Sequence, residues 1–133
     1  MDVFVYGTLT DPDRVAAVLD DWSLGPDAVL RGAHRVEGRY PTLAPGGETV
    51  GRLLRTSDID ALDRYEGVER GLYRRVAVPR GDGRAGEPVQ VYVGDPARLG
   101  AADGSTWPDG DPPPLAVLAE LVAAGCTVVS SPE

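Results

Sequence analysis

Hydrophobic and polar positions follow one another along the chain in a pattern that predicts short strands separated by helices. Residues 2–6 form a compact apolar run of β-branched and aromatic side chains, which is typical of a buried strand, and Gly7 ends it. Later segments alternate apolar and polar residues, as half-buried strands do. The strands predicted in this way cover residues 2–6, 28–36, 49–55, 72–79 and 88–93. The turn-rich stretch "GRYPTLAPGGE" is predicted to link the second strand to the third.

A first helix is predicted to begin at Pro12, because proline suits the first helical position and Thr10 or Asp11 can cap the N-terminus. Asp13 adds a negative charge in the first turn. The stretch "SLGPD" is predicted to end this helix. Its apolar positions fall on one face and are Val15, Val18, Leu19 and Trp22.

The second and third predicted helices follow from caps and composition. Ser57 is predicted to cap the second helix, with Asp60 three residues later as an approximate capping box, and Gly67 is predicted to end it. Residues 114–124 are predicted to form the last helix, and the tail "VVSSPE" either frays or pairs with another segment. The order βαββαββα therefore predicts an α+β fold with a small mixed, mostly antiparallel, barrel-like sheet and flanking helices.

Composition narrows the class of protein. The 133 residues suit a single domain over 1–133, and the formal net charge of −8 disfavours general nucleic-acid binding. All cations are arginine, which fits either a GC-rich genome or adaptation to high salt. The single cysteine, Cys126, excludes an intramolecular disulfide, and no apolar stretch approaches the roughly 20 residues of a membrane span. With no basic region before the first strand, a cytoplasmic location is expected.

Several common chemistries are disfavoured by the residues present. One histidine, His34, and one cysteine cannot supply the usual zinc ligand sets, so His34 is predicted to be a structural or surface residue. The stretch "GDGRAG" at 81–86 matches a dinucleotide motif in letters, but a strand follows it instead of a helix. The acidic loop with Asp103, Asp109 and Asp111 lacks calcium-loop spacing, which leaves only weak, adventitious cation binding.

The turn after the first strand is the first candidate site. The amides of Gly7, Thr8 and Leu9 have lost their ladder partners, and they precede a helix N-terminus, where an anion is favoured. Such a turn can hold a carboxylate. The alternative is that Thr8 and Thr10 merely cap the turn.

Glu66 is the second candidate. It is predicted to lie in the last turn of the second helix, where the helix dipole disfavours a carboxylate, beside the apolar Leu62 and Tyr65. The helix dipole and partial enclosure by apolar neighbours both raise the pKa of a carboxyl group, toward the range that a general base needs. The alternative is a solvated surface glutamate paired with an arginine, for which the candidates are Arg64, Arg70 and Arg74.

Taken together, these motifs resemble a known family. "VFVYGTL" before a Pro-capped helix, "GRYPTL" near position 40, "GRL" at 51–53 and "ALDRYEGVERGLYRRVAV" at 61–78 resemble the gamma-glutamylcyclotransferase-like proteins of the AIG2-like branch. The similarity covers roughly residues 2 to 94. The loop and helix at 95–133 match less well, although the Trp in "STWPDGD" is similar to a family feature.

The resemblance implies a function and a set of site residues. It implies that Glu66 is the catalytic acid/base, and that a pocket binds the glutamyl moiety through Tyr6, Gly7, Thr8 and Leu9, with Tyr73 beside them. It implies cyclisation of a γ-glutamyl amine or γ-glutamyl amino acid to 5-oxoproline with release of the amine. Such a reaction needs no metal and no cofactor, and its partner is a small γ-glutamyl compound.

Two other functions stay open at this stage. The same pocket could capture a small carboxylate without turning it over, as a binding module does. It could also transfer a γ-glutamyl or acyl group on another amide, because a shared fold does not fix a reaction.

Overall fold

The computed structural model describes residues 2–7, 10–36, 42–81, 88–96, 98 and 114–130. In this part of the chain six strands form one sheet, and three α-helices and a 3-10 turn at Val68–Arg70 accompany it. The elements are β1 (Asp2–Val5), α1 (Pro12–Val18), β2 (Trp22–Val36), β3 (Thr42–Thr56), α2 (Ile59–Glu66), β4 (Tyr73–Val78), β5 (Val89–Gly94), α3 (Leu115–Gly125) and β6 (Thr127–Ser130). The α+β class predicted from the sequence is confirmed.

The sheet is mixed and mostly antiparallel, in the order β4-β5-β1-β3-β2-β6. Only the pair β1 and β5 is parallel among the five strand pairings of the described residues. The two outer strands meet just beyond β4, where Arg80 and Val128 form a parallel bridge. The amide of Val128 donates to the carbonyl of Pro79 at 3.0 Å, so the sheet curls toward closure as the predicted barrel requires.

The core lies on both faces of the sheet, because side chains of β1 alternate between them. Phe4 and Tyr6 join a cluster on the face that α3 covers with Leu118 and Val122. The opposite cluster packs under α1 and α2, and its buried members are Val3, Val5, Val15, Leu19, Leu54, Leu62, Tyr73 and Tyr92. The helices thus cover the sheet from opposite sides, and α2 lies over β1, β4 and β5.

The second and third strands are much longer than predicted. β2 and β3 pair along most of their length. The pairing continues through "SLGPD", which was predicted to end the first helix, and through "TLAPGGE", which was predicted to be part of a turn-rich link. Register shifts between Leu24 and Asp27 and between Arg31 and Ala33 absorb the local irregularity. Gly32 has a φ of 104°, and a β-carbon there would lie 2.3 Å from the carbonyl oxygen of Gly125. Hydrogen bonding to a partner strand therefore outweighed the local turn preference.

The helix boundaries are confirmed in part. Asp11 is the N-cap of α1, with Pro12 following it, but α1 ends at Val18 and Trp22 already belongs to β2. The prediction that Ser57 caps α2 is wrong, because the N-cap position is Asp58, whose side chain does not cap the helix. The hydroxyl of Ser57 donates to Asp21 at 2.5 Å instead.

The carboxylate of Asp58 accepts the amides of Asp20 and Asp21, which ties α2 to the chain after α1. Gly67 ends α2 with a φ of 76°, as predicted. The described part of the tail, up to Ser130, pairs with β2 as strand β6, the second of its two predicted alternatives.

Some predictions fall on residues that the structure does not describe. Among the candidate site residues these are Thr8 and Leu9. The "GDGRAG" loop beyond Gly81, the stretch 99–113 with its tryptophan and acidic residues, and residues 38–41 of "GRYPTL" also lie outside the described residues. Within the described residues, no helix is long and apolar enough to cross a membrane.

Candidate active site

The end of β1 lies close to β3, and an arginine side chain binds the backbone just beyond it. Gly51 on β3 lies where a β-carbon would approach the carbonyl oxygen of Val5 to 2.2 Å and the ring of Phe4 to 2.7 Å. Glycine there lets the end of β1 lie unusually close to β3. Past that point the carbonyl of Tyr6 accepts a hydrogen bond from the Arg35 guanidinium at 2.8 Å. Arg35 therefore supplies the partner that a continuing strand would have supplied.

The turn that follows holds its own shape through Gly7. The carbonyl of Gly7 accepts the amide of Thr10 at 3.1 Å and its hydroxyl at 2.8 Å. The carboxylate of Asp11 accepts the amide of Asp13 at 3.0 Å, so the N-terminus of α1 already carries a negative charge. Because this charge already interacts with the helix dipole, the dipole stabilises a bound anion less than the sequence suggested. An anion held here would depend mainly on the amides of the turn itself.

Glu66 is the last residue of α2 and is partly buried. Leu62, one turn earlier, is fully buried and holds this part of the helix on the sheet. Burial raises the pKa of Glu66 from an ordinary 4.5 to about 7, the direction expected from the sequence. Among the described contacts no ion pair joins Glu66 to any of the three arginines that the alternative interpretation required, Arg64, Arg70 and Arg74.

The phenols of Tyr6, just after β1, and Tyr92, on β5, both interact electrostatically with Glu66. Tyr6 is buried, stacks on Phe4 with ring centroids 6.2 Å apart, and donates its hydroxyl to the carbonyl of Tyr92 at 2.5 Å. Burial raises the pKa of Tyr6 well above its usual value, with Tyr73 and Glu66 adding to the rise. Burial is also the largest cause of the raised pKa of Tyr92, to which Asp63 and Glu66 contribute. Tyr73 and Glu66 thus both lie within electrostatic range of the Tyr6 hydroxyl.

A polar network that the sequence did not predict lies beneath this group. The Asp63 carboxylate, on α2, accepts the Tyr92 hydroxyl at 2.6 Å and is paired with Arg75 through contacts of 3.0 and 3.3 Å. Arg75 also donates to Gln90 at 3.2 Å. Spacing on the helix could have suggested Asp63, which lies three residues before Glu66. Arg75 and Tyr92 required the strand register, which places them directly opposite each other.

The described residues were compared with the ligand sets that metal-binding sites require. No group of three or more His, Cys, Asp or Glu side chains within the described ranges is placed to hold one. His34 lies in β2, and its Nδ1 is 2.8 Å from the carbonyl oxygen of Gly46, in keeping with the predicted structural role. Cys126 is buried in the core. The chemistry that the described residues offer is proton transfer at the Glu66 carboxyl group.

The curled mixed sheet with its flanking helices, and a partly buried carboxyl group at the end of α2, agree with the comparisons with known proteins. Residues 3–111 match the family described as "Gamma-glutamyl cyclotransferase, AIG2-like". AIG2-like protein A of Arabidopsis thaliana is 33% identical over 117 residues, covering 80% of this chain and 71% of that protein. AIG2-like protein C of the same plant is 34% identical over 122 residues, covering 83% and 70%. The chain belongs to the AIG2-like gamma-glutamyl cyclotransferase family.

Solved structures support the fold assignment. A structure titled "Gamma-glutamyl cyclotransferase" matches with a TM-score of 0.56 at 20% identity, covering 70% of this chain and 65% of that one. The chain thus spans slightly less than two thirds of that protein, and at this identity the likeness shows the fold. The solution structure of At5g39720.1 from Arabidopsis thaliana is 36% identical, with a TM-score of 0.52 and coverage of 70% and 67%.

Proposed function

We propose that this protein cyclises a γ-glutamyl amine or γ-glutamyl amino acid to 5-oxoproline and releases the amine, acting on a small molecule in the cytoplasm. Membership of the family supports the reaction type. The observation that carries the proposal is Glu66, a partly buried carboxyl group whose pKa lies near 7, at a helix end beside Tyr6. A group with that pKa is present in both protonation states near neutrality, as an acid/base catalyst should be.

Substrate binding is assigned to the turn after β1. The backbone amides of Gly7, Thr8 and Leu9 would hold the α-carboxylate of the glutamyl group, and Tyr6 and Tyr73 would flank it. The hydroxyl of Tyr6 already donates to Tyr92, so toward a ligand it can act only as an acceptor or a packing surface. In this proposal, charge recognition therefore depends on the amides.

The reaction then needs a single carboxyl group. Ionised Glu66 takes a proton from the α-ammonium group of the substrate, and the freed amine attacks the γ-carbonyl carbon to form the new C–N bond. Protonated Glu66 returns that proton to the leaving nitrogen as the original amide C–N bond breaks. The ring nitrogen gives up its second proton to solvent, which leaves the neutral lactam. Closure of a five-membered ring within one molecule gains most of its rate from correct positioning. An amide of the turn can stabilise the oxyanion of the tetrahedral intermediate.

The test is release of 5-oxoproline from a mixed set of γ-glutamyl amines and γ-glutamyl dipeptides, assayed at low and at multimolar salt because of the acidic surface. The wild-type protein should release 5-oxoproline, and Glu66→Gln should release none above the blank. Glu69→Gln is the matched control, since Glu69 is exposed on the next turn of chain and should leave the rate unchanged.

Two outcomes would contradict the proposal. A Glu66→Gln protein that forms 5-oxoproline at the wild-type rate would remove the assigned acid/base. Binding of 5-oxoproline by the wild-type protein without turnover of any compound in the set would instead favour a carboxylate-binding module. Transfer of the glutamyl group to an added amine, seen as a new amide in place of 5-oxoproline, would favour the transfer reaction.

A further inference from the structure

Two carboxyl groups on the same side of α2, Asp63 and Glu66, differ in their hydrogen bonding. Asp63 accepts three hydrogen bonds, two from the Arg75 guanidinium and one from the Tyr92 hydroxyl. Glu66 accepts none from the side chains that the structure describes, and burial alone accounts for its raised pKa. The two carboxyl groups stand three residues apart, a spacing that brings β-carbons to about 5–6 Å.

The contacts of Asp63 also fix where the end of α2 lies on the sheet. Arg75 on β4 and Tyr92 on β5 are directly opposite each other in the antiparallel register, and both reach the same carboxylate. The side chains of Asp63 and Arg75 are only 22% and 29% exposed, so the pair is shielded from salt and water. Gln90, two residues before Tyr92 on the same face of β5, accepts a further hydrogen bond from Arg75.

We propose that Asp63 and Arg75 are positioning residues for Glu66: they anchor the last turns of α2 across β4 and β5, and Arg75 neutralises the carboxylate that lies one helical turn before Glu66. This inference rests on the proposed acid/base role of Glu66. Without Arg75, the charge of Asp63 would oppose ionisation of Glu66. Without the charge of Asp63, the guanidinium would favour that ionisation. Because the charges of Asp63 and Arg75 offset each other, burial alone sets the pKa of Glu66.

The other groups around Glu66 do not replace this balance. Tyr6 and Tyr92 are neutral near pH 7, because burial raises the pKa of each phenol. Tyr92 commits its proton to Asp63, and Tyr6 commits its proton to a backbone carbonyl, so neither hydroxyl donates to Glu66. Among the described residues, further titratable or charged groups in this region are Tyr73 of β4, Arg35 at the end of β2, and the exposed Arg64, Glu69 and Arg70 close to Glu66 in the chain.

The experiment is a pH titration of the Glu66 carboxyl carbon by ¹³C NMR on the full chain, with the Glu66→Gln spectrum identifying the signal. Arg75→Gln should raise the pKa of Glu66 and Asp63→Asn should lower it, each by about one pH unit for a charge at this range. The double variant Asp63→Asn/Arg75→Gln should return the pKa to near the wild-type value. Arg75→Lys, which keeps the charge, should restore most of it.

Arg74→Gln is the matched control, because Arg74 is exposed on the adjacent position of β4 and should not move the signal. Shifts in the same direction for Arg75→Gln and Asp63→Asn, or no shift in either, would overturn the inference; a loss of thermal stability without a pKa change would show a structural role only. Should Arg75→Gln not fold, Asp63→Asn and Arg75→Lys still decide between these results.

The titration also separates this inference from the proposed function. It needs no turnover, so it decides the charge coupling even when no 5-oxoproline is formed. If the protein is active, the acidic limb of the profile of kcat/KM against pH, which reports the free enzyme, should move with the NMR value in each variant. A profile that stays fixed while the NMR value moves would contradict the assignment of Glu66 as the acid/base and leave the charge coupling intact.

Discussion

Replacement of Glu66 by Gln should make the protein more stable above pH 7 while it removes activity. Glutamine has nearly the same shape as glutamic acid but never ionises, so the variant avoids the cost of a charged group in a partly buried position. The stabilisation should therefore appear only where wild-type Glu66 is ionised. Functional carboxyl groups that are shielded from water commonly lower the stability of the folded state in this way.

The magnitude follows from the two protonation equilibria. The pKa of Glu66 is about 7 in the folded protein against 4.5 as the ordinary value. The folded state therefore holds the proton more tightly, and wild-type stability falls as the pH rises between these two values. The full difference corresponds to about 3 kcal/mol. Below pH 4.5 both states are protonated and the loss is absent, and above pH 7 it is complete.

The assay is urea unfolding of wild type and Glu66→Gln at a series of pH values from 4 to 8.5, followed by circular dichroism. The difference in unfolding free energy between the two proteins cancels the pH dependence of every other group. Glu69→Gln, at an exposed position, should show a difference that is flat across the series. A flat difference for Glu66→Gln, or a variant that becomes relatively less stable as the pH rises, would refute the reasoning.

Other predictions concern the framework. Gly51→Ala should lower the unfolding free energy by about 1–3 kcal/mol in urea, since its β-carbon would lie 2.2 Å from the Val5 carbonyl oxygen. Gly125→Ala should raise it by about 0.5–1 kcal/mol, because nothing lies within 4 Å of that β-carbon at the end of α3; a loss of stability would contradict the open space. Asp11→Ala should cost about 1 kcal/mol through loss of the α1 cap, with an unchanged value arguing against the cap. Burial raises the pKa of Cys126 to about 11, so a thiol reagent at pH 8 should label it only after unfolding, and rapid labelling of the native protein would count against its burial.

The sequence was informative wherever a feature depends on neighbouring residues. The cap at Asp11, the helix stop at Gly67 and the position of Glu66 in the last helical turn all follow from local rules, and the structure has each of them. The α+β class followed in the same way from the order of predicted elements. The sequence also predicted that the pKa of Glu66 is raised, because the apolar Leu62 lies one helical turn earlier and indicates partial burial.

Features that depend on strand pairing could not be derived locally. The extensions of β2 and β3 run through glycines and prolines, and only their mutual hydrogen bonds make these segments strands. The meeting of Arg75 with Tyr92, and of both with Asp63, depends on a register between segments that no single window of sequence contains. Arg35 was missed for the same reason, since its partner is a backbone carbonyl near the start of the chain.

The pairing of β1 has a consequence for the order of folding. One side of β1 binds residues 52–55 and the other side binds Gln90 and Val91, so the strand that leads into the Tyr6 turn is held by segments distant in sequence. Contacts of such long range require the entropy of large loops to be overcome first, which slows folding. We therefore expect a nascent chain that ends before β5 to lack the site, although its Tyr6 and Glu66 have already been synthesised.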